Sequence, residues 1–310
     1  MWACCGGWRI RIVLGGSDMA GISGVRRTIG VGVASLIVLC LLILSWSIWM
    51  GTGRDAVQDN VTLRPAGTAP DDLERASEVR IFFGHQSIGA NILSGIDDLY
   101  AEAGIQKLNV VESTHSIDES GASLQHALIG SNGDPDGKIR AFGEILDAGT
   151  AKTIDVAMMK LCYLDFTSET DVDALFRSYT EALDALEAKY PNVRFLHATA
   201  PLTVESGIVD TLKSTAKAWL RGRLYSPPEN QVRERYNTLI RARYGDTGRL
   251  LDIAAWEALR PDGTLTAKAS GAGTYLSLNP DNASDGAHLN DQGAKKLAAA
   301  FLHLIATQEQ

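Results

Sequence analysis

Cysteine is scarce in this 310-residue chain: there are four, two of them adjacent at Cys4 and Cys5. That excludes a disulfide scaffold, so any folded part must be held by its core. An excess of base is also missing. Twenty-nine Lys and Arg face 37 Asp and Glu, for a net charge of −8. A nucleic-acid partner needs a basic face for its phosphates, so nucleic acid is not expected. The six histidines show no H-x-x-x-H spacing and the cysteines no C-x-x-C, which gives a metal no ligand set. No G-x-G-x-x-G and no phosphate-binding loop occurs, so neither a nucleotide nor any other cofactor is expected. Nor is there an internal repeat. What remains is ordinary globular composition, 45% hydrophobic and 21% charged.

One apolar run is long. Residues 29–50 form 22 positions without a charge, against roughly 20 needed to cross a bilayer as a helix. Arg26 and Arg27 precede it, Asp55 and Asp59 follow it, and Trp46 and Trp49 stand where an interfacial belt would lie. The positive-inside rule then predicts a signal anchor, with residues 1–28 in the cytoplasm and the rest outside the cytoplasmic membrane. A cleaved signal peptide is the alternative, but no clear A-x-A site follows. Met19 is a plausible true start. Residues 1–50 hold four arginines and one acid, so the remaining 260 residues carry a net of −11. Residues 51–76, polar and rich in Gly, Pro, Thr and Asp, read as a flexible linker, and 77–310 as one domain.

Within that domain short apolar runs alternate with helical periodicity. Strands are expected at 79–83, 108–113, 154–163, 193–201 and 250–254. Helices are expected at Ser87–Ala103, Lys138–Leu146, Asp171–Lys189, Gln231–Tyr244 and Asp291–Ala306. Five strands alternating with helices predict an α/β fold, a five-stranded parallel sheet between two helical layers. Irregular insertions are expected at 114–137, 202–230 and 259–285.

Ligands of open parallel sheets sit outside the carboxyl ends of the strands. After the first strand comes Gly84-His85-Gln86-Ser87-Ile88-Gly89. A serine between a buried strand and a helix N-terminus stands where free amides and the helix dipole favour developing negative charge. The plainer reading makes Ser87 the N-cap of that helix. Near the other end stands Asp285-Gly286-Ala287-His288, with Asn290 or Asp291 as the cap of the last helix. An aspartate three residues before a histidine can turn its carboxylate onto the imidazole, fix its tautomer and leave the far nitrogen to take a proton from a serine.

With Ser87 after the first strand and DGAHLNDQGAKKLA at 285–298, residues 77–307 resemble the SGNH (GDSL-like) hydrolases. The resemblance implies a flavodoxin-like fold and a serine esterase, with Ser87 as nucleophile, His288 as general base and Asp285 orienting it. GHQSIG replaces the usual Gly-Asp-Ser block, which resembles a divergent bacterial branch. The family's oxyanion hole joins the serine amide to a glycine amide and an asparagine side chain. The glycine would be Gly130, Gly133 or Gly121, with Gly130 preferred in its Gly/Asn-rich turn. The usual G-x-N-D block is absent; Asn132, Lys160 or Tyr163 could serve as the other donor, Asn132 first. His85 could bond into the site or be structural, and Lys160 could simply pair with Asp165. Cys162, in a strand without a His or Asn partner nearby, is expected to be inert. His115 and His126 could touch substrate or lie at the surface.

Trp219, Tyr225, Trp256 and Tyr275 could stack on sugars or pack their loops. The arginines between 221 and 243 could meet an acidic polymer or form a solvated face. The expected function is removal of an acyl group, O-acetyl for instance, from a small molecule or glycan. Acyl transfer to an extracytoplasmic polysaccharide and non-catalytic glycan binding are the alternatives.

Overall fold

The computed structural model of the protein describes residues 70–117, 123–205, 228–270 and 273–308. The leader, the apolar run 29–50, most of the linker, Gly121, Trp219, Tyr225, Arg221 and Arg223 lie outside the described residues. Among the described residues no helix is long and apolar enough to cross a membrane.

The fold is α/β, with a six-stranded parallel sheet flanked by helices. In chain order the helices are α1 (Pro70–Ser77), α2 (Ser87–Ala103), α3 (Pro135–Asp147), α4 (Val172–Lys189), α5 (Pro228–Tyr244), α6 (Ile253–Ala258) and α7 (Asp291–Ala306). The sheet strands are β1 (Ile81–His85), β2 (Asn109–Glu112), β3 (Ser123–Leu128), β4 (Val156–Met159), β5 (Arg194–Ala198) and β6 (Leu250–Leu251). Their spatial order is β2-β3-β1-β4-β5-β6, with every neighbouring pair parallel. A separate antiparallel hairpin, β7 (Ala267–Ser270) and β8 (Gly273–Leu276), occupies part of the last expected insertion.

Successive residues of a strand face opposite sides, and β4 shows it. Val156 and Met158 join the core under α1, α2, α6 and α7, while Ala157 and Met159 join the core under α3, α4 and α5. Strands buried on both faces read as continuous apolar runs, which is why β1, β4 and β5 stand out in the sequence. Two elements do not. β3 (SLQHAL) adds a sixth strand inside the stretch expected to be irregular. Its polar residues are accommodated by distant groups: Gln125 donates to the carbonyls of Ser113 and His115 at 2.9 and 3.0 Å, and His126 bonds His85 at 3.1 Å. α1 forms from residues expected to be linker. It buries Leu73 and Ala76, and its Asp72 accepts from His303 of α7 at 2.8 Å.

β1 lies between β3 and β4. The chain leaves β1 onto the α2 face and leaves β3 onto the α3 face. Neighbouring strands whose connections depart to opposite faces open a crevice at their carboxyl ends. The residues after β1 and β3 therefore line it.

Candidate active site

Gln86, not Ser87, is the N-cap of α2, and its side chain bonds none of the helix amides. Ser87 is the first helical residue, half-buried at the carboxyl end of β1. The first turn holds no acid. The Gly89 amide is already bonded to the Gln86 carbonyl at 2.7 Å, so the orphan donors of this turn are the amides of Ser87 and Ile88. The positive end of α2 thus meets the serine without a carboxylate in its first turn to neutralise it.

Asp285 and His288 share one tight turn. Asp285 Oδ1 accepts from the amides of Ala287 and His288 at 2.7 and 2.8 Å, while Oδ2 meets His288 Nδ1 at 2.9 Å. Burial alone would raise the Asp285 pKa. The bonds from the His288 amide and ring and from the Ala287 amide outweigh it and hold the carboxyl below its ordinary value. A carboxylate only accepts, so Nδ1 carries the proton and Nε2 is left as the basic nitrogen. The edge of the Tyr163 ring stands against His288, with centroids 6.0 Å apart.

One stripe of α2 brings the serine to this turn. Ser87, Asn91 and Gly95 are spaced i, i+4, i+8 and share a face. Gly95 packs so closely on α7 that a Cβ there would stand 2.4 Å from the Ala294 carbonyl oxygen. One turn toward the N-terminus, Asn91 Oδ1 accepts from the Leu289 amide at 3.3 Å. One further turn along the same stripe is Ser87. The two helices run side by side with their N-termini together, so Ser87 and the Asp285–His288 loop stand at the same end of the pair.

The loop after β3 forms the other wall. Gly130 has φ +53°, with the Lys138 backbone behind it, where a Cβ would come within 2.8 Å of the Lys138 nitrogen. Only glycine fits there. Gln86 Nε2 donates to the Ile129 and Gly130 carbonyls at 2.9 and 3.1 Å and ties this loop to the start of α2. At the loop's far end Gly133 donates its amide to Asp165 Oδ1 at 2.8 Å, which removes Gly133 as an oxyanion donor. Asn132 is exposed, and its Oδ1 accepts from Lys138 Nζ at 3.0 Å.

The expected pairing of Lys160 with Asp165 is corrected. Asp165 is held by Lys138, at 2.7 Å to each carboxylate oxygen, and by the Cys162 amide. Lys160 alternates with Met158 and Cys162, which face the α2 and α7 core, and its nearest acceptor is the Leu161 carbonyl at 3.4 Å. Burial pushes its pKa down to about 8. Lys160 is therefore buried on the core side of the sheet.

His85 is buried as well. Its Nδ1 faces the Gln86 carbonyl at 3.0 Å and so must donate. Burial lowers its pKa to about 4, and the neutral Nε2 accepts from His126 Nδ1. Gly89 leaves room for that ring, since a Cβ would stand 2.2 Å from it. His85 supports the site from below, and Cys162 is likewise a buried core residue.

Tyr275 is buried, and Trp256 is half-buried with its ring packed against the core. The described α5 arginines are engaged internally. Arg233 is buried and donates to the Tyr163 carbonyl, Arg241 pairs with Glu234 and Asp252, Arg243 pairs with Asp184, and Arg235 lies 3.6 Å from Asp173.

Sequence reasoning missed three positioning side chains, Gln86, Asn91 and Arg233. Gln86 stood inside a motif that had drawn notice. Asn91 carried a signal only in its i, i+4 spacing from Ser87, and Arg233 carried none.

No family model matches the chain, and no curated protein matches it. Among solved structures it is similar to a protein described as a platelet activating factor from Streptococcus pneumonia. That match has 11% identity and a TM-score of 0.42, over 84% of this chain and 97% of the other. It is also similar to the periplasmic domain of a lipopolysaccharide acetyltransferase from Salmonella ser. Paratyphi A. There the identity is 12% and the TM-score 0.39, over 76% and 87% of the two chains.

Proposed function

We propose that this protein is a serine esterase of the SGNH type that removes acyl groups through a covalent acyl-serine. The observation that supports the reading is the Asp285–His288 turn, at the same end of the α2–α7 pair as Ser87 and bonded to α2 through Asn91. Ser87 Oγ attacks the ester carbonyl carbon, and its proton passes to His288 Nε2. Negative charge develops on the carbonyl oxygen, where the Ser87 and Ile88 amides at the open end of α2 favour it, with Gly130 and Asn132 on the facing loop. His288 returns the proton to the departing alcohol oxygen. It then takes a proton from water as the water oxygen attacks the acyl carbon, and passes that proton to Ser87 Oγ as the acyl–serine bond breaks, releasing the free acid and restoring the serine. Asp285 keeps the imidazole in the required tautomer throughout.

The full chain should hydrolyse p-nitrophenyl esters, with a chain-length preference that identifies the acyl group. Folded Ser87→Ala and His288→Ala should each lose on the order of 10⁴–10⁶ in turnover, and the double variant little more. Wild-type activity in folded Ser87→Ala would exclude the serine. A sugar alcohol added as competing acceptor reads out transfer, since an acylated sugar replaces the free acid. The reading also has the domain outside the cytoplasmic membrane, anchored through residues 29–50. A C-terminal tag should then resist protease in intact cells and be cleaved in spheroplasts; a tag protected in both would reverse the orientation.

A further inference from the structure

We propose that Asn91 is a positioning residue that sets the height of His288 along the helix carrying Ser87. The inference rests on the serine-esterase reading and assigns a role to a side chain outside the triad. The Asp285 turn is rigid in itself, closed by three hydrogen bonds within four residues. Its rear is held by the Val204 amide on the Gly286 carbonyl at 2.9 Å and by Ser284, whose amide meets the His288 carbonyl at the same distance. None of those bonds reaches the helix of the nucleophile. Asn91 supplies that link: its Oδ1 accepts from the amide of Leu289, the residue after the base, one helical turn from Ser87.

Leu289 is buried, so without Asn91 its amide would be left without an acceptor and the turn would shift to recover one. A displacement of about 1 Å between base and nucleophile can cost about 10²-fold in rate. Gly95 sets the separation of the two helices and Asn91 sets their register, so the pair fixes two coordinates of one geometry.

The test uses the full chain with p-nitrophenyl acetate and, separately, a fluorophosphonate that labels an activated serine. Asn91→Leu matches the shape and removes the acceptor. Asn91→Asp keeps an acceptor and adds a carboxylate near His288, which is flanked by Asp285 on its own loop and Tyr163 after β4. Asn91→Leu should lower kcat roughly 10- to 100-fold at an unchanged KM and slow labelling in proportion. Asn91→Asp should keep kcat within several-fold. It should also move the basic group's limb of the pH–rate profile to higher pH, because a second anion favours the protonated imidazole. A purely structural residue would move neither kcat alone nor that limb.

Wild-type kcat and labelling in folded Asn91→Leu would overturn the role while leaving the esterase reading intact. Should Asn91→Leu fail to fold, an unmoved limb in Asn91→Asp would overturn it equally. A wild type inert to esters and to the fluorophosphonate would overturn the esterase reading and this role with it.

Discussion

The N-terminus of α2 differs from those of α3, α4, α6 and α7. In those four helices an Asp or Asn side chain accepts an amide of the first turn: Asp134 from Gly137, Asp171 from Ala174, Asp252 from Ala255 and Asn290 from Gly293. Such caps are worth about 1 kcal/mol each. α2 begins at Gln86, whose side chain turns away to hold the loop after β3. The four capped ends serve stability, whereas the uncapped end forgoes that gain and keeps its amides open beside Ser87. Helix ends in one protein can therefore be sorted by what satisfies their amides, and on the proposed mechanism the uncapped one is where the oxyanion is met.

Three experiments break or sharpen the contrast. The largest effect is expected at Gln86. Gln86→Met keeps the bulk but loses the donor to the Ile129 and Gly130 carbonyls. Turnover should fall roughly 10- to 100-fold, as expected when a loop facing the nucleophile shifts by about 1 Å. Thermal stability should change little, since no cap is lost. A large drop in Tm with turnover intact would make Gln86 an ordinary structural residue.

Acid gives the next effect. His85, which holds the Gln86 carbonyl, has its pKa lowered to about 4 by burial. His197, between Tyr179 and Tyr244, has its own lowered to about 3, first by burial and then by Arg249 and Arg243. Both sit below the ordinary histidine value of about 6.5, so between that value and the folded pKa the unfolded chain binds more protons. The stability these two rings contribute is therefore complete above about pH 6.5 and declines as pH falls toward 4 and 3, while buried Glu257, raised to about 8, contributes in the opposite sense. Urea unfolding from pH 7.5 to 4.5 isolates the His197 contribution by difference: wild type should lose more stability with falling pH than His197→Phe. Parallel profiles in the two would mean that His197 is not buried neutral.

The smallest effect belongs to a capped helix. Asp171→Ala should cost about 1 kcal/mol, a Tm decrease of roughly 2–4 °C, with turnover unchanged. If Asp171→Ala lowered turnover as Gln86→Met does, the division between the two kinds of helix end would fail.

What the sequence reveals of this molecule depends on how local the physics is. The bounds of α2 and α7 follow from apolar spacing, and the first residue of each matches the structure. β1, β4 and β5 follow from apolar runs that both covering layers require. β3 hides because Gln125 and His126 interrupt its pattern, and their partners, Ser113, His115 and His85, are known only once the strands are paired. α1 hides for the same reason, since a buried Asp72 makes sense only beside His303. At the candidate site, the Asp285 turn is readable because its bonds span three residues. The alternative that Lys160 pairs with Asp165 fails because sequence proximity says nothing of Lys138, which comes from α3, the helix before β4. Gln86 and Asn91 escape notice because their partners lie 43 and 198 residues away.

The two ends of the described domain meet at α7. α1 grips it through Asp72 and His303, and α2 lies against it through Gly95 and Ala294. This has a consequence for biosynthesis. A growing chain exposes Ser87 some 200 residues before it contains His288, and at roughly 5–20 residues per second that interval is on the order of tens of seconds. Throughout it the serine has neither base nor carboxylate, and α2 lacks the helix that covers its Gly95 stripe. α7 is thus made long after α2, and it closes the core and completes the proposed triad, so on that reading Ser87 stays dormant until α7 has folded.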